Sequence, residues 1–110
     1  ITIYGNGNQT RSFCYVSDMV DGLYKLMNSS DIHLPVNLGN PDEYTIIQLA
    51  EKIIKLTGSK SKIINKELPQ DDPERRKPDI TKAKTMLEWE PKVTVEDGLK
   101  KTIEYFKERL

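Results

Sequence analysis

The chain is poor in residues that build covalent or metal-held structure. Cys14 is its only cysteine, so no internal disulfide can form. His33 is its only histidine, which excludes the multi-histidine clusters that hold zinc. Neither sign of charge is in surplus, with 17 Lys+Arg against 17 Asp+Glu. That balance gives no general pull on nucleic acid or an anionic membrane, so any anion site has to be local. No apolar run approaches membrane-spanning length, and no stretch has a signal-peptide pattern.

What is present suits a folded domain. Of the 110 residues, 36% are hydrophobic and 31% charged, enough apolar surface for a modest core. The opening "ITIYGNGNQTRSFCYV" reads as two strands around Asn6-Gly7, a strong hairpin signal. Its G-x-G resembles a dinucleotide loop, but a third glycine is missing and strand-like residues follow where a helix should start. Cys14 in "SFCYV" reads as a small buried hydrophobe, and His33 as a surface residue. A helix is expected from Ser17 or Asp18, with Asp18 as N-cap and Met19, Val20, Leu23, Leu26 and Met27 on its buried face.

"PVNLG" then reads as a short strand ended by Gly39. "PDEYTIIQLAEKIIKLTG" is the strongest helix, with a Thr45/Gln48 capping box and Gly58 at its end. Ile46, Leu49, Ala50, Ile53 and Ile54 form its apolar stripe. "KIIN" is a further strand, and a short helix runs from Thr81 to Leu87. After a turn at Pro91 a final helix starts near Thr94 or Val95, with Leu99, Ile103, Phe106 and Leu110 on one face. Short strands spaced between about four helices predict an α/β fold.

The segment before the short helix, "PQDDPERRKPD", fences acids and bases between Pro69, Pro73 and Pro78. Proline fixes φ and restricts the residue before it, so such a loop loses less entropy when it presents its charges. If it shared a cleft with Arg11, two guanidiniums would converge with forked donors that match phosphate oxygens. Asp79, three residues after Arg76, could accept from a ribose hydroxyl. The bland reading is a solvated loop in which Asp71, Asp72, Glu74, Arg75, Arg76 and Lys77 pair with one another, each pair worth under ~1 kcal/mol. Spacing alone leaves both open.

Three stretches together carry a resemblance: "YGNGNQTRSFCYVSDMVDGLYKLM", "PVNLGNPDEYTI" and "PQDDPERRKPDITKAKTMLEWEPKVTVEDGLKKTIEYF". They resemble the C-terminal portion of extended short-chain dehydrogenases/reductases, and within these the UDP-glucuronate decarboxylase (UDP-xylose synthase) family. The resemblance implies the substrate-binding part of a Rossmann-type enzyme, here residues 1–110, with NAD held by an N-terminal domain. It implies a UDP-sugar partner and a homodimeric parent, cytoplasmic in a bacterium or Golgi-anchored in a eukaryote. Arg11 and Arg76 match diphosphate-contacting arginines, Asp79 a carboxylate near the ribose, and Phe13 a position lining the nucleotide pocket. Arg75 is left as a supporting charge.

Two departures bear on activity. The family's glycine-rich NAD loop and its Tyr-x-x-x-Lys pair do not occur here, and the nearest imitation, Tyr105 with Arg109, reads as helix surface. The chain alone is therefore expected to be inactive. Glu88 also stands where relatives usually carry glycine, at a helix end. The chain opens in strand-like "ITIY" without methionine, which suggests the interior of a longer protein. An epimerase or dehydratase parent, or a purely structural, self-associating module, are the other readings.

Overall fold

The computed structural model describes residues 1–69 and 76–110. Among the described residues, four short strands and four helices follow in the order β1 (Thr2–Tyr4), β2 (Thr10–Ser12), α1 (Val16–Met27), β3 (Glu43–Thr45), α2 (Ile46–Thr57), β4 (Ile64–Lys66), α3 (Thr81–Met86) and α4 (Val95–Lys107). The strands make two small ladders. β1 runs parallel to β4, with Ile3 opposite Asn65, and β2 runs antiparallel to β3, with Arg11 opposite Tyr44. The α/β expectation holds.

The expected hairpin does not form. Gly5 and Gly7 do take positive φ and turn the chain, but β1 and β2 find different partners. The reason lies in α2, whose first N–H groups need acceptors from outside the helix. The turn supplies them: Ile46 N–H donates to the Gln9 carbonyl and Ile47 N–H to that of Gly7, each at 3.0 Å. α2 otherwise forms as its sequence dictates. Thr45 and Gln48 make the reciprocal capping box, and Gly58 ends the helix in the left-handed region at φ 66°.

α1 departs from expectation at its start and along its face. It begins at Val16, and its N-cap Tyr15 makes no side-chain capping bond. Asp18 lies inside the first turn with only 6% of its surface exposed, turned away from the helix end. Its Oδ2 accepts from the N–H groups of Lys92, at 3.1 Å, and Val93, at 2.9 Å, while its carbonyl accepts from the Trp89 indole at 3.0 Å. Met19 and Leu26 are half-buried, but Val20 is 57% and Met27 76% exposed. Leu23 and Tyr24 also stand more than half in solvent, so much of the expected inner face is bare.

The core gathers around Trp89, which is 1% exposed, with Ile80, Ala83 and Leu87. Leu26, Ile32, Val36 and Leu38 pack against it. Burial of side chains of this size stabilises by roughly 1.5–3 kcal/mol each. "PVNLG" carries strand-like sequence but no ladder among the described residues; it serves as a packing segment, and the strand falls at Glu43–Thr45 instead. Cys14 is half-buried beyond the end of β2, not in a strand. Burial first, and then the Asp18 carboxylate, push its thiol above its ordinary pKa.

Candidate functional site

β2 presents Arg11 and Ser12 at its end, held in register by Tyr44 and Glu43 of β3. Thr10 Oγ1 donates to Glu43 Oε2 at 3.1 Å and adds a side-chain tie across the same pair of strands. Arg11 is half-buried and its Nη1 donates to the Thr10 carbonyl at 2.6 Å, which folds the guanidinium back along the strand. Ser12 Oγ donates to the Arg76 carbonyl at 3.3 Å and so joins the strand to the end of the proline-fenced segment.

Arg11, Ser12, Asn37, Leu38, Arg76, Lys77 and Pro78 line one open cleft of about 680 Å³. That size falls in the range of small-ligand sites. Among the described residues, three of its side chains are cationic. Arg11 and Arg76 thus both line this cleft.

The other two expected site residues lie elsewhere. Asp79 sits past Pro78, in a neighbouring depression with Thr81 and Lys84. Its Oδ1 accepts from the Thr81 hydroxyl at 2.6 Å and from the Thr81 N–H at 3.0 Å, at the start of α3. Those bonds, the hydroxyl's first, hold its carboxyl below the ordinary carboxylate pKa. Phe13 lines a separate apolar groove of about 320 Å³ with Tyr15, Leu49, Val95 and Leu99. Asp71, Asp72, Pro73, Glu74 and Arg75 lie outside the described residues. Ser12 and Asn37 carry little signal in the sequence: adjacency to Arg11, and the polar place in the alternating "VNL".

Other chemistry finds no seat among the described residues. No three His, Cys, Asp or Glu side chains come together as metal ligands. Gly7 does not cradle a phosphate: a Cβ there would lie 3.0 Å from Ile47 Cβ, so the protein itself fills the space, and β2 follows instead of a helix. Tyr105 and Arg109 stack on the surface of α4, the guanidinium 3.6 Å from the ring centre. These residues do not fit NAD.

The sequence matches the GDP-mannose 4,6 dehydratase family over residues 1–102. The chain belongs to that family. Extended short-chain dehydrogenases/reductases of this kind also supply its curated relatives. UDP-glucuronic acid decarboxylase 1 of Danio rerio is 56% identical over the whole chain, which spans 26% of that protein. UDP-glucuronic acid decarboxylase 5 of Arabidopsis thaliana is 52% identical, again over the whole chain and 32% of the relative. The chain thus spans about a quarter to a third of the relatives it matches. Among solved structures, UDP-glucose 4-epimerase of Thermotoga maritima with UDP-glucose superposes with a TM-score of 0.93 at 35% identity, covering 99% of this chain and 35% of that one. UDP-glucuronic acid 4-epimerase of Bacillus cereus, in complex with UDP-glucuronic acid and NAD, superposes at 0.91 and 28% identity, over 99% and 35%. The family resemblance carried by the sequence motifs holds, and so does the Rossmann-type epimerase/dehydratase fold.

Proposed function

We propose that residues 1–110 are the sugar-nucleotide-binding part of an NAD-dependent UDP-glucuronate decarboxylase, which converts UDP-glucuronate to UDP-xylose and carbon dioxide. The observation that carries this is the cleft that Arg11 and Arg76 both line. Two guanidiniums and Lys77 on one cleft suit the diphosphate of a UDP-sugar. Asp79 and Phe13 remain candidates for the ribose and the base. Asp79 would reach a ribose with the carboxylate oxygen that Thr81 does not hold.

The relatives at 46–56% identity favour a decarboxylase over an epimerase or dehydratase parent. In the whole enzyme NAD would supply the hydride chemistry. The residues described above hold no place for it, so this chain alone is expected to bind and not to turn over.

Calorimetry with UDP tests the reading. The chain should bind UDP saturably, more weakly as salt rises. Arg11→Ala and Arg76→Ala should each weaken binding about 10- to 100-fold, the worth of a charge-assisted hydrogen bond. A folded chain without measurable UDP binding, or with binding indifferent to both arginines, would count against the site.

A second reading rests on α1. Its bare apolar side chains favour a face made to be covered, either by the remainder of a longer polypeptide or by another copy of the chain.

A further inference from the structure

The diphosphate reading names the arginines but not what holds the second of them in place. Arg76 and Asp79 belong to a segment without regular secondary structure, yet three fixed points meet it. Ser12 Oγ donates to the Arg76 carbonyl at 3.3 Å. Asn37 Nδ2 donates to the Asp79 carbonyl at 3.4 Å. Between them Pro78 lies on Gly39, where an added Cβ would come within 2.9 Å of Pro78 Cγ. A ring atom cannot swing aside as a flexible side-chain tip can, so the fit needs glycine.

Each contact is modest, and both hydrogen bonds are long. Together they hold both carbonyls at the ends of Arg-x-x-Asp and seat the proline in the middle. All three partners come from packed or paired parts of the fold. Ser12 ends β2, which is locked to β3, and Asn37 and Gly39 flank Leu38, which packs against the Trp89 cluster.

We infer that Ser12, Asn37 and Gly39 are positioning residues that form a seat for residues 76–79 and aim Arg76 into the cleft beside Arg11. The inference rests on the diphosphate reading for its functional meaning, but the seat is a geometric claim with its own readout. A loop already held in place loses less freedom when it closes on a ligand, so the seat acts through affinity.

Two measurements test it. The first is amide NMR of Ser12→Ala, Asn37→Ala and Gly39→Ala against the unaltered chain. Signals of Lys77 and Asp79 should shift and broaden in each variant, while those of α2 stay in place, and Ser12→Thr, which keeps the hydroxyl, should leave them as in the unaltered chain. Unchanged Lys77 and Asp79 signals in all three variants would overturn the inference, whether or not UDP binds.

The second is UDP calorimetry as a double-mutant cycle. Ser12→Ala and Asn37→Ala should each weaken UDP binding about 3- to 10-fold, the scale of one neutral hydrogen bond. Uridine binding should stay the same. In the Arg76→Ala background the same changes should have no further effect on UDP, because they act through Arg76. Full additivity with Arg76→Ala would overturn the inference and leave the arginine site standing. Loss of UDP binding from the unaltered chain would sink the diphosphate reading, and the NMR result then decides the seat.

Discussion

Removing the Asp18 carboxylate strands two backbone N–H groups, those of Lys92 and Val93, in a place where Asp18 itself is almost fully buried. A buried donor left without a partner costs about 1–3 kcal/mol. Asp18→Ala should therefore destabilise the chain by about 2–4 kcal/mol in urea unfolding. Asp18→Asn keeps an acceptor oxygen and should lose less. Glu88 carries the opposite expectation. It follows α3 with φ +52°, a conformation that costs an L-residue roughly 1–2 kcal/mol and glycine almost nothing. Part of that gain is offset by the greater freedom of glycine in the unfolded chain. Glu88→Gly should raise stability by about 0.5–1 kcal/mol, read as a higher urea midpoint with an unchanged slope.

At the scale of elements, α3 depends on a cap that lies two residues before its first residue. Asp79 bonds both the N–H and the hydroxyl of Thr81, and these bonds depress its pKa. A depressed carboxylate contributes stability above its unfolded pKa and loses it as pH falls through the lower folded value. Far-ultraviolet circular dichroism during acid titration should thus show a loss of helix below about pH 4 that is missing in Asp79→Ala, which has already lost the cap. The helices were the legible part of the sequence. Thr45, Gln48, Gly58 and Thr94 announce α2 and α4 by local chemistry alone, and the structure obeys them. The strands were not legible, because a three-residue strand is decided by its partner. Asn6-Gly7 marked a turn correctly but could not reveal that the carbonyls beside it serve α2. Asp18 looked like a cap because capping is local, whereas its actual partners lie more than seventy residues away. Arg11 and Arg76 take their proposed role from the family pattern. Ser12 and Asn37, which act through backbone carbonyls, leave no pattern of their own.

The whole molecule is flat and extended, with dimensions of 49 × 36 × 19 Å and a radius of gyration of 16.3 Å. A compact chain of this length would have a radius of about 13 Å. The exposed surface of 8116 Å² exceeds the roughly 6,200 Å² expected of a compact 12.7 kDa protein. The difference, about 1,900 Å², is more than twice what one partner buries in an ordinary protein–protein contact. α1 accounts for much of the apolar part, with Val16, Val20, Leu23, Tyr24 and Met27 all more than half exposed. On its own the chain should elute on size exclusion above the position of a 12.7 kDa monomer, increasingly so at higher concentration. Val20→Lys with Leu23→Lys should return it to monomer. A wild-type chain that stays monomeric at all concentrations would mean that this face tolerates water.

The tie between Asp18 and Trp89 also sets an order of events during synthesis. Its two ends are 71 residues apart. At translation speeds of about 5–20 residues per second, α1 waits some 4–14 s for its indole partner to be made. Through that interval the Trp89 side of the helix is as bare as its outer stripe. Twelve residues are marginal as a helix alone in water, so this segment keeps two open apolar sides until then. The last quarter of the sequence closes one of them.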